Sequence, residues 1–293
     1  MPITHHLRSG DKLLTKTQTQ EYTIPVSNLL SLRLYSDTRP HHHHIADLQK
    51  GLILVHREKE LVGEGTGFGA PIVRYRNKTY FSSSSTVQIS RKSNETTVLK
   101  QFVLDTISRE QFRRVETDTE MTRKIRIRFE ELYMSHKHWR LLPLANLSKN
   151  IGVQKSFVRT EPKGNVAMTY RIDPPLIHVT ADFNLLEKGS VQKIFLLNEQ
   201  GSKYFRKYSD SKGVVLFDKQ IGAWEKVESN WARVSTLNGE AGFRLWNVKD
   251  ATLARGREFL KGTFDWIGLD YELGPEKAEF KYSIEIVRGL EQK

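Results

Sequence analysis

The chain has 293 residues, with 46 Lys and Arg against 34 Asp and Glu, a formal net charge of +12, and no Cys. The missing cysteines exclude a disulfide scaffold and any Cys-ligated zinc or iron–sulfur centre. An aromatic content of 10 % excludes a disordered chain, and 19 Gly with 9 Pro exclude a collagen-like or low-complexity one.

Residues 1–20 are polar without period and read as a loose arm, with no apolar run of the kind that opens a signal peptide. No stretch approaches the roughly 20 apolar residues of a membrane span, so no membrane partner is expected and the cytoplasm is the default compartment. From Tyr22 onward the chain is strand-like. Leu30–Tyr35 alternates apolar and polar residues with the period of a half-buried strand. Gly51–His56 with Glu60–Gly63, and Ala70–Tyr75 with Thr79–Ser82, each flank a short charged turn and read as hairpins. Thr86–Ser90, Thr96–Leu104 and Gln111–Glu116 continue the pattern.

One segment differs. Thr117 and Glu120 have capping-box spacing, and Met121, Ile125, Phe129, Leu132, Tyr133 and His136 follow as one helical stripe. A strand over Lys124–Phe129 competes, because that stretch also alternates; length favours the helix. A second short helix is expected at Leu144–Lys149. Strand candidates then resume at Ser156–Arg159, Val166–Ile172, Leu176–Phe183, Val191–Asn198, Tyr204–Tyr208, Val214–Asp218, Trp231–Thr236, Gly242–Asn247, Thr263–Leu273 and Glu279–Val287. Turn signals about every 8–12 residues argue for a sandwich or barrel rather than βαβ units. The expected fold is therefore mainly β: one large antiparallel β-sandwich over 21–293, with a helical pair near 118–150.

The positive charge invites a nucleic-acid or anionic-polymer partner. The densest basic cluster is Arg123, Lys124, Arg126 and Arg128, which on a helix forms the solvated side of the apolar stripe. Tyr204-Phe205-Arg206-Lys207-Tyr208 mixes rings and bases, as a stacking platform for single strands does and as an ordinary strand with Lys stems over buried rings also does.

Four features bear on chemistry. Gly65, Gly67 and Ala70 fit G-x-G-x-x-A, but Pro71 follows instead of a helix, so a pyrophosphate would have no helix N-terminus to sit on. No nucleotide or other cofactor is expected; a glycine bulge is the simpler reading. In the tract His41–His44, successive imidazoles of an extended chain point to opposite faces, so His41 with His43, or His42 with His44, can share a metal ion, although a functional site needs a third ligand. In Leu176–Phe183, period two places His178, Thr180 and Asp182 on one face, with His178 and Asp182 about 13 Å apart. His178 is the candidate general base. Arg244-Leu245-Trp246-Asn247 and Asp265–Tyr271 combine flat rings with bidentate hydrogen-bonding groups, the combination a sugar needs. Asp265 and Asp270 differ by five positions and face opposite ways unless Gly268 makes a bulge.

With Asp265–Tyr271 and the last strand Phe280–Ile286, the β-rich chain resembles the galactose mutarotase-like supersandwich, the fold of sugar epimerases and of domains in carbohydrate-active enzymes. The resemblance covers about the last two-thirds of the chain. It implies a sheet groove that holds carbohydrate. Mutarotases use a His acid and a Glu base, but their Asn-His-x-x-Phe-Asn-Leu signature is absent from this sequence, so no catalytic residue is carried over. The leading expectation is a carbohydrate-binding or carbohydrate-active protein with a saccharide across a sheet face bearing His178, Asp182, Arg244, Trp246 and Asp265. The alternatives are a nucleic-acid or anionic-polymer binder, and an assembly protein without a small ligand.

Overall fold

The computed structural model describes residues 20–36, 49–76, 78–92, 95–105, 107–114, 153–260 and 264–288. Strands β1 (Glu21–Pro25), β2 (Leu30–Tyr35), β3 (Ile53–His56) and β4 (Lys59–Glu60) form a small antiparallel meander in that order. Strands β8 (Ile107–Arg114) and β9 (Val153–Arg159) pair with each other.

Everything else joins one antiparallel sheet. Its strands are β5 (Gly67–Tyr75), β6 (Lys78–Lys92), β7 (Glu95–Asp105), β10 (Asn165–Asp173), β11 (Leu176–Asp182), β12 (Val191–Gln200), β13 (Phe205–Asp210), β14 (Val215–Phe217), β15 (Glu225–Lys226), β16 (Trp231–Thr236), β17 (Ala241–Trp246), β18 (Ala251–Leu260), β19 (Phe264–Leu273) and β20 (Glu279–Arg288). The spatial order is β14-β13-β16-β17-β20-β11-β10-β7-β6-β5-β12-β19-β18-β15.

A sheet this wide buries its apolar face by folding over itself. The long strand β6 lies at the corner. Lys78–Phe81 pair with β5, Phe81–Lys92 pair with β7, and the register with β7 slips between Ser82 and Ser84. A slip of this kind bends a strand. The two arms then meet ring to ring. Phe68 of β5 packs edge-on against Phe243 of β17 at 5.0 Å, and Tyr271 of β19 against Tyr282 of β20 at 4.9 Å. The buried hydroxyls find partners across the same seam: Tyr170 Oη donates to Phe68 O (3.0 Å), Tyr282 Oη to Asn198 Oδ1 (3.0 Å) and Tyr271 Oη to Trp246 O (2.5 Å). The expected large antiparallel β architecture is present.

The meander joins the same apolar core through Leu32, Leu34, Leu52 and Leu54. Lys100 of β7 is buried beneath it and donates Nζ to Tyr35 O (3.0 Å) and Lys50 O (2.7 Å). The glycine-rich stretch is a close crossing of backbones. Gly67 and Gly69 sit at φ +76° and +78°, and a Cβ on Gly69 would lie 2.7 Å from Tyr170 Oη.

The helical pair expected near 118–150, the arm up to residue 19 and the tract 41–44 with His41 and His43 lie outside the described residues. Among the described residues the helical segments are two 3-10 turns, Lys188–Ser190 and Asp218–Ile221. No helix among them is long and apolar enough to cross a membrane.

Candidate functional site

On β16, β17, β20 and β11 alternate residues are buried in the core, which turns the intervening set outward. Register brings these outward residues into two rows. Arg233 pairs with Arg244, Arg244 with Glu285, and Glu285 with Leu176. One row along, Trp231 pairs with Trp246, while Ser283 pairs with His178 and His178 with Arg171. Since Leu245 pairs with Ile284, Trp246 falls beside Ser283 in the second row. Trp246 and His178 thus flank one strand, about 10 Å apart at the backbone.

The side chains form a connected patch. Arg244 lays its guanidinium over the Trp231 ring at 4.6 Å and pairs Nη1 with Glu285 Oε2 at 2.9 Å. His178 Nδ1 is 3.0 Å from Ser283 Oγ, which leaves Nε2 for a ligand. Glu285 pairs with Arg244, and its charge also pulls on Arg233. Burial and then the neighbouring Arg244 charge push the Arg233 guanidinium down from its usual value. The Nε–H groups of Arg233 and Arg244 are buried without a partner among the described residues, so both are donors held in reserve. This is an aromatic and guanidinium platform with one His and one carboxylate.

Of the residues expected at the site, His178, Arg244 and Trp246 lie together here. Asp182 shares the outward face of β11 but sits at the strand end opposite Glu279, where Oδ1 accepts from Asn184 N (2.8 Å) and closes the turn. Asp265 is not part of the patch. It lies on β19, in the arm that packs behind β17, and anchors the turn after β12: Oδ1 accepts from Ser202 Oγ (3.0 Å) and Lys203 N (2.8 Å), and Oδ2 pairs with Lys203 Nζ (3.2 Å). The fold-over of the sheet separates what sequence alone grouped. Trp231, Arg233, Ser283 and Glu285 were missed. Their alternation is visible in the sequence, but which strands neighbour one another is not.

The rings of the basic segment 204–208 are largely committed elsewhere. Phe205 and Tyr208 are in the core, and Arg206 is held bidentate by Asp218 at 2.9 and 2.7 Å. Arg123, Lys124, Arg126 and Arg128 lie outside the described residues.

A second concentration of polar groups sits in the other arm, where the end of β12 meets the glycine-rich stretch. Lys50 donates Nζ to Gly63 O (3.1 Å) and Gly65 O, and burial pushes its ammonium down to about 8 against the pull of Glu64 and Glu199. An unfolded lysine holds its proton to about 10.4. Between these values the unfolded chain binds more protons than the folded one, so this group's contribution to stability rises with pH from about 8 to about 10.4. Lys50→Met is expected to flatten the thermal midpoint against pH across that window. Parallel wild-type and variant curves would contradict it.

No protein-family model matches the chain, and no curated protein matches it. Among solved structures, the chain is similar to the α-N-acetylgalactosaminidase NagBb from Bifidobacterium bifidum in its GalNAc complex, at 7 % identity and a TM-score of 0.49. The match covers 92 % of this chain, which spans only 36 % of that enzyme's length. It is also similar to the Slr1438 protein from Synechocystis sp. PCC 6803 (9 % identity, TM-score 0.37, 92 % and 96 % covered). A galactose mutarotase-like protein from Lactobacillus casei is similar as well (11 %, 0.36, 92 % and 99 %).

Proposed function

We propose that the outward face of β16, β17, β20 and β11 binds saccharide. The observation that carries this reading is the cross-strand pair Trp231–Trp246 with Arg244 stacked on Trp231 and His178 on the far side of β20. Flat rings suit the C–H face of a pyranose, and fixed guanidinium and carboxylate groups suit its hydroxyls. In an enzymatic form of the reading, His178 is the acid/base group, with Nδ1 oriented by Ser283 and Nε2 toward the sugar.

The test is calorimetric titration of the full chain with a panel of mono- and oligosaccharides, repeated on Trp246→Ala and His178→Ala. Losing one buried-faced Trp is expected to weaken binding by about 1–3 kcal/mol, roughly ten- to a hundredfold, with the fold unchanged by circular dichroism. Binding that survives both substitutions would sink the assignment. Salt separates the nucleic-acid alternative: phosphate contacts make affinity fall steeply with ionic strength, whereas saccharide affinity on this patch is expected to stay nearly flat.

A further inference from the structure

On the outward face of β16, β17 and β20, charge is not balanced. Register lines up Ser209 of β13, Arg233 of β16, Arg244 of β17 and Glu285 of β20 in one row. Glu285 pairs with Arg244 at 2.9 Å. Farther along β20, Lys281 pairs with Glu279 at 2.7 Å. Lys207, in the next row beside Ser235, adds a further positive charge and lies over the Phe217 ring at 5.9 Å.

Arg233 is the unmatched member. It sits directly opposite Arg244, and like charges in that position destabilise a strand pair. It makes no hydrogen bond or ion pair among the described residues, and its Nε–H is buried without an acceptor. Its place on the face is fixed all the same. The side chain leans over Gly242 of the next strand, where a Cβ would stand 3.4 Å from Arg233 Nε. A guanidinium that is half-buried, held in place and unpaired gains from an acceptor of opposite charge. Arg233 lies one strand over and two residues along from Trp246, about 8 Å at the backbone. One pyranose and an arginine side chain together span that distance.

We propose that the saccharide bound on this face is acidic, a hexuronate whose carboxylate is taken by Arg233. This inference rests on the saccharide reading of the face and deepens it. The planar fork of a guanidinium matches a carboxylate with two parallel hydrogen bonds. A phosphate is met by several donors at once, such as the free N–H groups of a helix N-terminus. The middle of a sheet, whose backbone is spent on strand pairing, offers none of these. With one charged contact, the salt dependence stays shallow beside that of a polyphosphate.

The experiment is calorimetric titration of the full chain with trimers of galacturonate, glucuronate and mannuronate, each beside its methyl ester, which keeps the skeleton and removes the charge. One of the acids is expected to bind about tenfold or more tighter than its ester. Arg233→Met is expected to erase that preference. Arg233→Lys, which keeps the charge and loses the fork, is expected to retain part of it. If neither variant folds, the wild-type comparison of acid with ester decides alone. Acid and ester bound equally, or neutral sugars bound and no hexuronate, would overturn this inference and leave the saccharide reading standing. No binding of any acid, ester or neutral sugar would overturn both. A preference that survives Arg233→Met would overturn the role of Arg233. Tighter binding of a hexose phosphate or a dT oligonucleotide than of every hexuronate would overturn the inference and assign the spare charge to phosphate.

Discussion

Gly51→Ala is expected to be among the most damaging substitutions in the chain, costing about 4 kcal/mol or more, a drop of roughly 10 °C in thermal midpoint. The added methyl would stand 1.8 Å from Phe68 O and 2.6 Å from Phe68 C. Neither atom belongs to a side chain that can swing away. Phe68 O is also where three contacts meet, since it accepts from Leu52 N (3.1 Å) and Tyr170 Oη (3.0 Å) while facing Gly51. Moving it loosens the bridge between the meander and β5 and the hydroxyl contact across the fold-over together. Gly189→Ala is the control. Nothing lies within 4 Å of its added methyl, so it is expected to change stability by no more than about 0.5 kcal/mol. Similar midpoints for the two variants, read by calorimetry, would refute this account.

Lys100→Met is expected to cost about 2–4 kcal/mol, with the loss concentrated in the meander. The methionine keeps the length and apolar stem of lysine. It removes the ammonium that donates to Tyr35 O and Lys50 O, leaving two acceptors that lose charge-assisted hydrogen bonds. Because those acceptors flank the meander and the donor sits on β7, the cut falls between the two sheets. Amide hydrogen exchange is the discriminating readout. Protection in β2 and β3 is expected to fall by about tenfold or more, while β10, β11 and β20 keep theirs. Uniform loss across all strands would mean that Lys100 supports the core generally and does not tie the meander.

Period-two alternation was enough to find most strands, because large core-facing residues such as Val166, Met168, Tyr170 and Ile172 alternate with the small or polar Ala167, Thr169 and Arg171. Strand β18 escaped notice. Its stretch Ala-Thr-Leu-Ala-Arg-Gly-Arg buries only Leu253 and Gly256, so no two-residue period marks it. Period two also left a gap between the strands Thr79–Ser82 and Thr86–Ser90; in the structure both belong to the one strand β6, which pairs on with β7 through Ser84 and Ser85 past the register slip after Ser82. For the site, composition and period placed His178, Arg244 and Trp246 on outward faces. They could not say that β20 would insert between β17 and β11 and so supply Ser283 and Glu285. Asp265 was grouped with these residues because a Trp follows it; the fold-over puts it behind them.

The outermost strands of the main sheet are its shortest. β14 has three residues and β15 two. An open sheet is a template: its last strand offers a row of unused donors and acceptors to any passing extended chain. Here such a chain would find only two or three positions to engage before the edge ends. At β14 it would meet Lys207 lying across the exposed Phe217 ring at 5.9 Å. At β15 it would meet the exposed side chains of Glu225 and Lys226. Among the described residues, the fourteen-stranded sheet thus offers a second extended chain little backbone to pair with at either end, a shape that disfavours edge-to-edge addition.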